Sequence, residues 1–279
     1  MLNLRHLTAF ALLFIVFESC KKDNTVQPSA GNNSTVESLS PAQRPITLFI
    51  NRYIGGYYES VPNHYQVTTK KYPLLISLHG AGQIGNGGKD LPLVLNDGVA
   101  KEINQKNFPP SFNVNGDDFS FIVLSPQFRG VPPDSMVLSF LNYALQHYRI
   151  DESRIYVTGL SMGGVLTTEM GGHFTSLFAA GVAISGDSFG DDKNSNAVNI
   201  AHGGFALWSL HNSDDPITSS RVAIDFVNLV NNNNPAIPAR LTIFQASGHD
   251  AWTKALDPQY KENNKNVYEW MLQYKKEFR

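Results

Sequence analysis

One short run limits what this chain can fold into. Gly159-Leu160-Ser161-Met162-Gly163-Gly164 lies between the strand-like segment Arg154–Thr158 and the helix-like segment Val165–His173. A serine with a glycine two residues away on each side, at a strand-to-helix junction, predicts a sharp, strained turn that lifts the hydroxyl above a sheet edge. The glycines matter because the chain must approach itself closely there, with no room for a Cβ. The helix that follows would bring its first free amides next to that hydroxyl. The alternative is an ordinary glycine-rich strand–helix turn.

The rest of the chain provides the framework such a turn requires. Ile46–Ile54 and Tyr57–Val61, separated by Gly55-Gly56, read as an antiparallel opening hairpin. Tyr72–Leu78 and Phe119–Leu124 read as buried strands, and Val137, Leu138, Leu141, Ala144, Leu145 and Tyr148 form a 3.6-period stripe behind Asp134. Strands at Ala180–Ser185, Phe205–Leu210 and Arg240–Phe244 follow, with helices at Ser219–Val230 and near Val267–Tyr274. This alternation predicts an α/β fold with a mostly parallel central sheet, helices on both faces and chemistry at the carboxyl ends of the strands. Composition agrees. With 42% hydrophobic and 16% charged residues the chain is not a solvated coil, and 22 glycines with 15 prolines disfavour a helical bundle. A net charge of −2 argues against a nucleic-acid partner, and the single cysteine excludes an internal disulfide or a cysteine-based zinc site.

Two further glycine patterns are decoys. Gly80-Ala81-Gly82-Gln83-Ile84-Gly85 fits the dinucleotide pattern, but Asn86-Gly87-Gly88-Lys89-Asp90-Leu91-Pro92 reads as a loop where a helix would have to open. Gly186-Asp187-Ser188-Phe189-Gly190 repeats the serine pattern, yet Asp191–Asn196 behind it reads as polar loop without a helical stripe.

A serine hydroxyl becomes a useful nucleophile only with a base and a third group to orient that base. Of the histidines after Ser161, His249 lies in the loop after the last strand, where it can reach back across the sheet edge. His173 ends the helix after the serine, His202 lies in a loop ahead of a strand, and His211 ends the penultimate strand, where it shapes the acid loop. That loop, Asn212-Ser213-Asp214-Asp215-Pro216, offers Asp215 as first candidate for the acid and Asp214 as second. Asp250, beside His249, reads as a loop residue. Amides to stabilise a developing oxyanion are expected from Met162 and from Ala81, with Gly82 as alternative to Ala81. Trp252 and Gly82 are candidate substrate contacts. Tyr57 and Tyr58 could offer flat stacking faces to a ligand or pack in the core. Such a mechanism requires no metal and no organic cofactor.

The beginning of the chain reads as an address. Arg5 precedes the apolar run Leu7–Phe17, which is signal-peptide length and too short to span a bilayer comfortably. The run closes at Glu18-Ser19-Cys20, followed by Lys21-Lys22-Asp23, and resembles a bacterial lipoprotein processing site of the Bacteroidetes type. That resemblance implies cleavage before Cys20 and lipid on its sulfur; the alternative is a plain secretory signal. The expected organisation is a signal peptide over 1–19, a lipidated cysteine with a polar tether over 20–44, and one domain over 45–279. The expected location is the periplasm or cell surface, with the membrane met only through the anchor.

Taken together, Leu78-His79-Gly80-Ala81-Gly82, Ser125-Pro126-Gln127, the run from Arg154 to Gly164, and Gly248-His249-Asp250-Ala251-Trp252 resemble the α/β-hydrolase superfamily. The resemblance is closest to lidless esterases: feruloyl and acetyl-xylan esterases, polyhydroxybutyrate depolymerase-like proteins and the neighbouring "predicted peptidase" group. Where relatives often carry His-Gly, this chain has His211-Asn212. The resemblance implies a serine ester hydrolase acting through an acyl-enzyme on acyl groups carried by carbohydrate or small alcohols. About twenty residues between Ser185 and Phe205 leave no space for a large cap domain, so the site should be open. A prolyl-oligopeptidase-type peptidase and a non-catalytic surface-binding lipoprotein are the alternative readings.

Overall fold

The structure, a computed structural model, describes residues 37–277. The signal segment, Cys20 and the first part of the tether lie outside the described residues.

Ten strands are present among the described residues: β1 Gln43–Asn51, β2 Ile54–Ser60, β3 Tyr72–Leu78, β4 Phe112–Val114, β5 Asp117–Phe119, β6 Ile122–Phe128, β7 Ile150–Leu160, β8 Ala180–Ile184, β9 Ala206–Asp214 and β10 Arg240–Ser247. Eight of them form one sheet in the order β1-β2-β6-β3-β7-β8-β9-β10, while β4 and β5 form a separate small hairpin. β2 pairs antiparallel with both β1 and β6, and every later neighbour in the large sheet is parallel. The helices are α1 Gly98–Asn104, α2 Asp134–His147, α3 Met162–His173, α4 Lys193–Gly203, α5 Arg221–Asn232, α6 Trp252–Ala255 and α7 Val267–Met271.

The two-residue period of a strand explains how both faces become buried. On β3, Leu74, Ile76 and Leu78 point into one core with Phe140 and Leu141 of α2, Leu166 of α3, Ile200 of α4 and Phe226 of α5. Leu75, between them, joins the other core with Val99 of α1, Phe112 of β4 and Tyr268 and Met271 of α7. Two covered faces on a largely parallel sheet give the expected α/β architecture, and among the described residues only α4 and its flanking turns stand where a cap would insert.

Several elements depart from the sequence expectations. The opening hairpin turns at Arg52-Tyr53, where Asn51 Oδ1 accepts from the amides of Tyr53 and Ile54 at 2.9 and 3.0 Å. Gly55 and Gly56 lie inside β2 instead, and a Cβ on Gly56 would sit 2.3 Å from the carbonyl oxygen of Gly87. The loop after β3 therefore lies against β2 and is stapled by Gln127: its Oε1 accepts from Gly87 N, and its Nε2 donates to the carbonyls of Gln83 and Asp90. Asn86 to Pro92 is loop entering a 3₁₀ turn at Leu91–Asn96, so no helix opens after the dinucleotide-like pattern. β6 starts at Ile122, because Phe119 pairs with Phe112 in the small hairpin. The polar stretch read as loop becomes α4, whose buried face is Asn196, Ala197, Ile200 and Ala201. Tyr57 and Tyr58 are core residues, Tyr57 hydrogen-bonding Tyr148 at 2.7 Å, and neither offers a face to a sugar. Packing also starts ahead of Pro45: Glu37 is buried and pairs with His64 at 2.9 Å, and Ser60 Oγ donates to Ala42 O.

Candidate active site

The turn after β7 is strained as its sequence suggested. Ser161 has φ 53° and ψ −116°, a conformation that non-glycine residues avoid. Its neighbours must be small: a Cβ on Gly159 would lie 2.2 Å from Gly163 O, and one on Gly163 would lie 2.1 Å from Leu78 O. The serine is thereby wedged between the carboxyl ends of β7 and β3, at the start of α3.

His249 arrives from the loop after β10 and Asp215 from the end of β9. The Ser161 hydroxyl donates to His249 Nε2 at 2.8 Å, and His249 Nδ1 donates to Asp215 Oδ2 at 2.7 Å. The Asp215 side chain is fully buried, while that of His249 is 18% exposed, so the histidine faces the open side and the acid does not. Burial alone would raise the Asp215 carboxyl. The hydrogen bond from His249 and the amides of Ile217 and Thr218 outweigh it, holding the carboxyl below the usual aspartate value. Asp214 is turned outward, where its Oδ2 accepts from Ser247 Oγ at 2.8 Å. His211 is buried and donates from Nε2 to Thr218 O at 2.8 Å, with Asp215 Oδ2 3.0 Å away, so it shapes the acid loop. Asn212 fills the place of the usual glycine: its Nδ2 donates to Gly248 O at 2.9 Å and ties the two loops together.

The other histidines after Ser161, and His79, are committed elsewhere. His173 pairs with Asp134 at 2.5 Å, and His202, in the last turn of α4 and not in a loop, contacts Asn233 O. His79 donates from Nδ1 to Gly80 O and accepts from Phe128 N at Nε2; burial pushes it down to about 4, so it is a neutral structural group. The decoy Ser188 is buried and accepts from Asn196 Nδ2 at 3.0 Å. Its neighbour Asp187 is pushed up to about 8 by burial, against the opposing hydrogen bond from Ser209, and forms no pair with a histidine. Asp250 accepts from Thr253 N and Oγ1 in a local turn.

Met162 is the first residue of α3, so its amide has no intrahelical acceptor. Ala81 and Gly82 begin a 3₁₀ turn in which the first amide to be satisfied by the turn is that of Gln83, and both residues line the hollow beside Ser161. That hollow measures about 270 Å³ and includes Gly80, Gly82, Gln83, Asp97, His249 and Trp252. A Cβ at Gly82 would meet nothing within 4 Å, which leaves this stretch open to a ligand. Trp252 stands edge-on to His249, its ring centroid 5.2 Å away, and donates from Nε1 to Asp97 Oδ1 at 3.0 Å. A second hollow of about 340 Å³ shares Ser161 with the first, with Val131, Met162, Val165, Leu166 and Phe189 among its walls.

Three contributors had no distinct sequence signal. Asp97 orients both Trp252 and Gln83, whose Nε2 donates to Asp97 Oδ2 at 2.6 Å. Ser185, at φ 52°, directly follows β8 and donates from Oγ to His249 O at 2.8 Å; the rule that chemistry gathers at strand ends was the only pointer to it. Glu169 lines the 340 Å³ hollow. Among the described residues, no three His, Cys, Asp or Glu side chains are grouped to hold a metal.

Comparison with known proteins places this geometry in context. The prolyl oligopeptidase family profile matches residues 135–191, the segment that carries α2, β7 and the serine turn. Feruloyl esterase B of Thermothelomyces thermophilus is 39% identical over 54 residues, 19% of this chain and 19% of that protein. Acetylxylan esterase A of Emericella nidulans is 38% identical over 50 residues, 18% of this chain and 16% of that protein. The match thus spans about a fifth of these curated relatives. Among solved structures, a thermostable esterase superposes with a TM-score of 0.55 at 24% identity, covering 85% of this chain and 63% of its own.

Proposed function

Starting from its α/β-hydrolase fold, we propose that this chain is a serine hydrolase of carboxylic esters, acting on acyl groups carried by carbohydrate. The observation that carries the reading is the unbroken hydrogen-bonded line from Ser161 through His249 to Asp215, next to unsatisfied amides. In this reading Ser161 attacks the ester carbonyl as His249 Nε2 takes its proton, and the new oxyanion is held by the amides of Met162 and Ala81. Asp215 fixes the histidine tautomer and stabilises the imidazolium. His249 returns the proton to the leaving alcohol, giving an acyl-Ser161 ester, and the same base activates water to release the acid.

The two hollows then acquire different roles. The proton returns from His249, which lines only the 270 Å³ hollow, so the alcohol leaves on that side and the acyl group occupies the 340 Å³ hollow. Trp252, Asp97 and Gln83 suit a hydroxylated alcohol such as a sugar, in keeping with the feruloyl and acetylxylan esterases among the relatives. The shallow site without a cap suits an ester borne on a bulky polymer. Purified protein is expected to hydrolyse p-nitrophenyl acetate and acetylated or aryl-acylated xylan, and not a peptide anilide. Cleavage of the anilide alone would move the assignment to a peptidase.

We further propose export and lipid attachment at Cys20, on the strength of the apolar run that ends there. Cys20→Ala is expected to shift the protein from membranes to the soluble fraction with esterase activity kept; retention equal to wild type would contradict the anchor.

A further inference from the structure

The 270 Å³ hollow has in its wall a buried hydrogen-bond acceptor that nothing in the protein satisfies. Gln83 is only 4% exposed and lines this hollow together with Ser161 and His249. Its side-chain orientation is fixed. An ionised Asp97 can only accept, so Gln83 turns Nε2 to Asp97 Oδ2 at 2.6 Å, and Asp97 is held in turn by Trp252 at its other oxygen. The backbone carbonyl of Gln83 accepts from Gln127 Nε2 at 3.0 Å, which pins the residue from behind. Among the described residues no group donates to the remaining atom, Gln83 Oε1. A buried carbonyl oxygen without a donor is costly and calls for a partner from outside the chain. Gly80 keeps the approach to that oxygen clear: a Cβ there would lie 3.4 Å from Gln83 Oε1 and 3.5 Å from Leu160 O. The acceptor thus stands beside the peptide bond that leads into Ser161.

We propose that Gln83 Oε1 holds the water that releases the acyl group from Ser161, and that it thereby selects water over alcohols as the acyl acceptor. The inference rests on the ester-hydrolase reading. Once the alcohol has left, water enters the hollow on that side. Its oxygen bonds to the acyl carbon as one proton passes to His249 Nε2. The second proton stays on the same oxygen and is donated to Gln83 Oε1. Collapse breaks the bond from carbon to Ser161 Oγ, His249 returns its proton to Oγ, and the acid departs. An alcohol attacking along this path has a single hydroxyl proton. That proton goes to His249, a carbon group stands where water carries its second hydrogen, and Oε1 stays unpaired. A site that leaves a buried polar group unsatisfied discriminates far more strongly than one that loses an apolar contact.

The test is the partition of the acetyl-enzyme between water and methanol. p-Nitrophenyl acetate is turned over in dilute methanol, and methyl acetate is measured against acetate after subtraction of the uncatalysed rates. The ratio is internal to each protein, so partial unfolding cancels. Gln83→Met keeps the length of the side chain and removes the acceptor. It should raise methyl acetate over acetate by about tenfold relative to wild type, the factor that one buried hydrogen bond implies. The double variant Gln83→Glu with Asp97→Asn exchanges amide and carboxylate. It keeps the bond between the two side chains and an acceptor at position 83, so its ratio should return close to that of wild type. The same ratio in wild type and Gln83→Met overturns the proposal, as does a double variant that behaves like Gln83→Met. If wild type releases no p-nitrophenol, the ester-hydrolase reading itself fails and the role of Gln83 falls with it.

Discussion

Alanine at Ser161 or at His249 is expected to lower kcat by roughly 10⁴-fold or more, and the double variant should be about as inactive as either single one. The reason lies in the 2.8 Å hydrogen bond between Ser161 Oγ and His249 Nε2. Without the imidazole, the hydroxyl keeps its proton and attacks poorly; without the hydroxyl, the imidazole has nothing to activate. Losses that multiplied in the double variant would mean that the residues act independently and that this line is not a catalytic unit. Both variants should fold. His249 is part-exposed and Ser161 is small, so neither truncation opens a large cavity in the core. Removing a side chain from the strained Ser161 position leaves the backbone conformation as it was, so the turn itself should persist.

Asp215→Asn is expected to cost about 10⁴-fold in kcat, and Asp214→Asn less than about threefold, in line with the small effect usual for exposed surface groups. An amide at position 215 can donate where the carboxylate accepts, which favours the wrong tautomer of His249 and removes the charge that balances the imidazolium. The Ile217 and Thr218 amides would still find the side-chain oxygen, so the loop should keep its shape. The Asp214 side chain accepts from Ser247 Oγ, and the hydrogen bond to His249 Nδ1 is made by Asp215. Steady-state kinetics on p-nitrophenyl acetate, with circular dichroism as the folding control, check both. The reverse ranking would transfer the role of acid to Asp214.

How much of this could be read in advance depended on whether the physics was local. The serine turn was legible because its backbone strain and close approaches leave few residue choices, and Gly159 and Gly163 record those choices in the sequence. His249 and Asp215 were legible through topology: in a parallel sheet, loops after neighbouring strands meet at one edge. α4 was not, because its buried side consists of Asn196, Ala197, Ile200 and Ala201, too small and polar to form an apolar stripe. Gly55-Gly56 looked like a turn because glycine serves turns and close packing alike; only the path of the loop at Gly87 separates the two uses. Tyr57 and Tyr58 looked available for stacking because a strand buried on both faces, as β2 is, conceals the alternation that would mark an outward side. Glu169 has the appearance of an ordinary helix-surface charge until the hollow beside Ser161 is in view.

The most direct test of the central claim is active-site labelling with a fluorophosphonate, which forms a covalent bond only with an activated serine. Wild type and Ser188→Ala are expected to label, and Ser161→Ala is not, because Ser188 is buried and hydrogen-bonded to Asn196 while Ser161 is hydrogen-bonded to a base beside an open hollow. Labelling that persists in Ser161→Ala and disappears in Ser188→Ala would contradict both the nucleophile assignment and the mechanism built on it.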